Sequence, residues 1–120
     1  MKLLLMRAGA ALAALIAVVA FAAPAAAHLA TGTIVRGSNC TYPWRSTHTS
    51  ASTTRATDIC AGHAYVRAYG INSNDDVVNT GWFGSASYAA VSSSTHLNGV
   101  YFTTTNHKGC STCDYNIISH

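Results

Sequence analysis

The sequence contains no glutamate and no glutamine, and its only acidic residues are Asp58, Asp75, Asp76 and Asp114. Several kinds of chemistry are thereby excluded. A His-Glu-x-x-His metalloprotease helix cannot be written without glutamate, nor can the bidentate residue that closes a calcium loop. Asn72, Asn74 and Asp76 do alternate side-chain oxygens, but without a closing carboxylate that run reads as a polar hairpin turn. Paired carboxylates for glycoside hydrolysis would have to come from four aspartates, two of them adjacent. No Gly-x-Ser-x-Gly elbow and no glycine-rich phosphate loop is present. A non-enzymatic role with no catalytic residues and no obligatory cofactor is therefore expected.

The chain opens on a three-part export pattern. Met1–Arg7 carries Lys2 and Arg7, 8–23 is apolar apart from one glycine, and Pro24 precedes Ala25-Ala26-Ala27. Small residues at the cleavage positions after a helix breaker mark a secretory signal. The expectation is a signal over 1–27, a single β domain over 28–120, and a secreted, extracellular product without a stable membrane span. Residues 28–120 then hold five basic and four acidic groups. A net charge near zero lacks the basic stripe that nucleic acid requires. The expected partner is an extracellular protein or a cell-surface component.

Helix formers are as scarce as acids. After residue 27 there is one lysine and two leucines, against 26 serines and threonines. That composition favours strands and turns. Ala64–Tyr69 alternates Tyr65, Arg67 and Tyr69 with Ala64, Val66 and Ala68, the period of a half-buried strand. Further strands are expected at 31–35, 77–83, 86–91, 99–105 and 115–119, with turns at 36–39, 71–76, 92–94 and 106–109. Residues 41–56 read as a long loop or a twisted hairpin. Five or six short strands predict an all-β fold, a small antiparallel β-sandwich or barrel stapled by two disulfides.

Cys40, Cys60, Cys110 and Cys113 in a small exported domain read as two disulfides. Three pairings exist. Cys40–Cys60 with Cys110–Cys113 is favoured, because the first pair would close the 41–59 segment, which has few apolar residues. The pairings that tie both later cysteines to the N-terminal half stay open. Cys110-Ser111-Thr112-Cys113 has redox spacing, but no helix follows to lower a thiol pKa.

Two groups of residues suggest binding. Cleavage after Ala27 would place a free amine and an imidazole on His28, a pair that chelates copper when a second histidine joins. This resembles the copper brace of secreted oxidative polysaccharide enzymes and of periplasmic copper carriers. His48, His63, His96, His107 and His120 are the candidate second ligands, and copper is the alternative to a cofactor-free protein. The other group is Trp44-Arg45 after Tyr42-Pro43, inside the Cys40–Cys60 segment. Tryptophan and arginine are enriched at binding hot spots. The arrangement of Cys40, Tyr42, Trp44, Arg45, Cys60 and the strand at Ala64 resembles the tendamistat-type α-amylase inhibitors. Those proteins carry a Trp-Arg-Tyr triplet on a hairpin loop; here Ser46 stands in place of the tyrosine. The resemblance implies inhibition of an extracellular hydrolase through an exposed Trp44-Arg45 loop. Ser46–Ser50 and Val66-Arg67-Ala68 are also similar to pieces of the lactococcin-972-type bacteriocins, which implies a secreted toxin as a further reading.

Overall fold

Short stretches of alternating small and β-branched residues build the described part of the chain as nine strands and one helical turn. The computed structural model describes residues 28–57 and 59–120. The expected export signal at 1–27 lies outside the described residues, as does Asp58. The order is β1 (Ala30–Val35), β2 (Thr41–Ser46), β3 (Ser50–Thr54), β4 (Ala64–Ile71), β5 (Val77–Asn79), β6 (Phe83–Ser85), β7 (Tyr88–Ser92), α1 (Ser93–His96), β8 (Phe102–Lys108) and β9 (Asn116–Ser119). Two antiparallel sheets result. The first runs β1-β2-β3-β7; the second runs β5-β4-β8-β9, with β6 also paired to β4. The all-β, two-disulfide architecture is the one expected, in its sandwich form.

The inward rows of the sheets carry mostly small side chains. Ala51, Ala64, Ala68 and Ala89 are buried, and among them sit a few large groups, Tyr42, Val66 and Phe102, with no exposed surface. Tyr42 buries its ring and keeps its polar end satisfied by donating from its hydroxyl to the Gly62 carbonyl at 2.6 Å. Gly32 of β1 is set by the ring opposite it: a Cβ there would stand 2.5 Å from the Trp44 indole. The disulfides are Cys40–Cys60 and Cys110–Cys113, with Cα separations of 5.1 and 5.2 Å. No described cysteine is free.

Four local expectations change. Residues 41–56 form a hairpin, so Trp44 and Arg45 lie within a strand paired on both sides, not at a loop tip. The tip is Thr47–Thr49, where the Thr47 hydroxyl accepts from the Ser50 and Thr49 amides. The expected strand at 77–83 breaks into β5 and β6 around Gly81, whose φ of +78° suits glycine. The expected turn at 106–109 is instead the end of β8. Its polar residues sit in the ladder because each finds a partner: the His107 amide donates to the Asn116 side chain at 2.8 Å, and Lys108 pairs with Tyr65 across the sheet. The serine run at 92–94 becomes the helical turn α1, capped by the Ser92 hydroxyl.

Candidate functional site

A seam of polar side chains crosses the interior between the sheets. Thr53 of β3 bonds His107 Nδ1 at 2.8 Å, and His107 Nε2 bonds Thr105 at 3.0 Å. Thr105 meets Ser46 of β2 at 2.7 Å, and Ser46 meets His120 Nε2. Ser46, Thr53, Thr105 and His107 are all fully buried. Trp44 lies over the seam, its ring stacked on His107 at 5.0 Å and 28°. Burial pulls the His107 imidazole down to about 4, against the raising effect of a hydrogen bond to the Ser52 carbonyl, with His120 lowering it further. His107 is thus neutral at pH 7. The bonds run without a break from Thr53 through His107, Thr105 and Ser46 to His120.

The seam ends in a histidine cluster. The His48 ring, at the β2–β3 tip, lies 5.5 Å from the His28 ring and 5.1 Å from the His120 ring. Tyr101 flanks His48 at 6.2 Å. His48 Nδ1 bonds the Phe102 carbonyl at 3.3 Å, which assigns the proton to Nδ1 and turns Nε2 outward. Partial burial lowers the His120 pKa first, then the neighbouring His48 and His28. Of the five histidines considered as partners for His28, the fold brings forward His48 and His120. His63 is exposed elsewhere, His107 is enclosed, and His96 packs against Phe83 at 4.6 Å. Among the described residues, no three His, Cys or Asp side chains already converge as a metal-ligand set.

The residues marked for partner binding separate across β2. Tyr42 and Trp44 point inward, Tyr42 without exposed surface and Trp44 half-buried. Arg45 points outward and forms no hydrogen bond or ion pair with any described residue. It borders a groove of about 450 Å³ on the outer face of the first sheet, floored by Ser50, Ser52, Ala90 and Ser92 and flanked by Tyr88. Tyr88 is 57% exposed.

The second sheet's outer face carries a cluster that sequence reasoning did not single out. Arg67 lies 4.2 Å over the Trp82 ring and also touches Tyr69 and Tyr115, while Lys108 Nζ lies 4.1 Å from Trp82. The Arg67 guanidinium donates twice to Asn106 Oδ1, and Lys108 donates to the Ser111 carbonyl. The two cations are held by rings and oxygens within the fold, so the cluster is internally satisfied. Burial and the nearby Arg67 push the Lys108 pKa down. The alternation Tyr65, Arg67, Tyr69 was the visible signal for this face.

Comparison of the chain with protein-family models, curated proteins and solved structures finds no match.

Proposed function

We propose that the protein acts by binding rather than by catalysis, receiving a segment of an extracellular protein or cell-surface partner in the groove bordered by Arg45. The observation that carries this reading is an exposed arginine with no hydrogen-bond or ion-pair partner among the described residues, set beside the exposed Tyr88 over a floor of serines and Ala90. Arginine and tyrosine are residues on which binding energy concentrates, and hydroxyls offer adaptable hydrogen bonds around them. Trp44 supports the groove from the opposite side of β2 and makes no direct contact in this reading. Occlusion of an extracellular hydrolase is the form of it that the inhibitor resemblance suggests.

The nearest approach to a catalytic pair argues in the same direction. Ser46 bonded to His120 has the connectivity of a nucleophile with its base. Ser46 is fully buried, however, and the titratable groups acting on His120 are His48 and His28, with no carboxylate among the described residues orienting it. A substrate carbonyl cannot reach that hydroxyl. The test of the binding role is capture from culture medium on the immobilised protein, repeated with Arg45→Ala and Tyr88→Ala. A partner held through the groove loses about 2 kcal/mol or more of affinity in either variant, roughly thirtyfold. Capture undiminished in both variants refutes the assignment.

A further inference from the structure

We propose that His28, His48 and His120 form a binding site for a divalent transition-metal ion, Cu(II) before the others. The site lies at the open end of the buried seam and is separate from the Arg45 groove.

Ring spacing is the first support. A metal about 2.0–2.1 Å from an imidazole nitrogen lies about 3.2 Å from that ring's centre. Two rings sharing it at angles of about 90–120°, from tetragonal to tetrahedral, therefore have centres about 4.5–5.5 Å apart. The His28–His48 and His48–His120 separations are 5.5 and 5.1 Å. Both separations lie within the range a shared ion requires, and convergence of the nitrogens on one point requires the rings to rotate, chiefly exposed His28.

The anchoring of the rings is the second support, and it is independent of spacing. Metal-binding histidines characteristically spend one nitrogen on a protein group, which fixes the ring and leaves the other nitrogen for the ion. His48 donates Nδ1–H to the Phe102 carbonyl and presents Nε2. His120 spends Nε2 on Ser46. His120 Nδ1 bonds no described residue and stays free to face an ion. Each anchored ring thus has one nitrogen left to face an ion. No carboxylate or thiolate belongs to the set. An all-imidazole site suits Cu(II), Zn(II) and Ni(II), and among them the intrinsic affinity order favours Cu(II).

The experiment titrates the disulfide-bonded, metal-stripped protein with Cu(II) and separately with Zn(II), by calorimetry. Electron paramagnetic resonance of the Cu(II) form counts coordinated nitrogens. One ion per chain, Cu(II) tighter than Zn(II), and three nitrogens or more are expected. His48→Ala and His120→Ala each weaken Cu(II) at least tenfold, whereas His63→Ala leaves it unchanged. Since His120 bonds buried Ser46, melting curves accompany each variant, and His48→Gln supplies a change at the hairpin tip that spares the seam. Cu(II) affinity equal in His48→Gln and wild type overturns the proposal. So does binding by the chain prepared to begin at His28 that survives both alanine variants yet vanishes when one residue is placed ahead of His28, since the amine alone would then hold the ion. Failure of the groove variants to affect partner capture has no bearing on these readings.

Discussion

His107 makes the fold acid-sensitive in a defined window. Its imidazole has a folded pKa of about 4 against an ordinary 6.5, chiefly because burial disfavours the charged form. A lowered histidine pKa means that the unfolded chain binds a proton more readily than the folded one. Stability is therefore complete above pH 6.5, declines as the pH falls from 6.5 towards 4, and loses nothing further to this group below 4. A shift of about 2.5 units corresponds to about 3 kcal/mol at the acid limit. A domain of this size has about 5–10 kcal/mol in total, so this one residue removes a third or more of it. Urea unfolding at several values between pH 7.5 and 4 measures the slope, and His107→Gln isolates it. Glutamine keeps a donor and an acceptor but does not titrate, so its curve should lie lower at pH 7.5 and run flatter towards pH 4. An NMR titration placing the His107 pKa between 6 and 7 refutes the reasoning. Parallel pH slopes for wild type and His107→Gln refute it equally.

Trp44→Ala should cost about 2–3 kcal/mol in a melting experiment, below the 3–5 of a fully buried ring because Trp44 is half-buried. The same change admits water to His107 and should raise its pKa towards 6.5, which the NMR titration reads directly. Trp82→Ala withdraws the ring from both Arg67 and Lys108 and should cost about 1–2 kcal/mol in urea unfolding, with the Lys108 pKa moving up. Replacing Cys40 and Cys60 together by serine opens a loop with a sequence separation of 20 and should cost about 3 kcal/mol in the same assay; the Cys110 and Cys113 pair, separated by 3, should cost about 2.

The elements legible in the sequence were those whose alternation is uninterrupted. Along β4, alanines and valine alternate with Tyr65, Arg67 and Tyr69, and the structure buries the first set and half-exposes the second. The β2–β3 hairpin was harder, because its inward positions include Ser46 and Thr53, which hydrophobic patterning assigns to the surface. Tyr42, Trp44 and Ser46 nevertheless share one side of β2, and that spacing of two held the information. The end of β8 was misread for the same reason. Asn106, His107 and Lys108 look like a turn to any rule that sends polar residues outward, yet a guanidinium, a threonine and a tyrosine ring accommodate them inside the ladder.

The histidine cluster was hidden by distance along the chain and not by residue type. His28 could be named because a cleavage site is a local signal. Its neighbours His48 and His120 are brought in by hairpin closure and by β9 pairing with β8, neither of which leaves a spacing to count. The seam is more deeply hidden, since serine and threonine dominate the chain and Ser46, Thr53 and Thr105 resemble all the rest. What distinguishes them is that each faces a polar atom from the opposite sheet or from the end of the chain. A hydroxyl buried without such a partner costs about 1–3 kcal/mol, and no described buried side-chain oxygen or nitrogen lacks one. Satisfaction therefore requires all members of the seam at once. Removing the Ser46 hydroxyl would leave Thr105 and His120 short of a partner together, so the seam that seats His120 beside His48 also fixes how the two sheets meet.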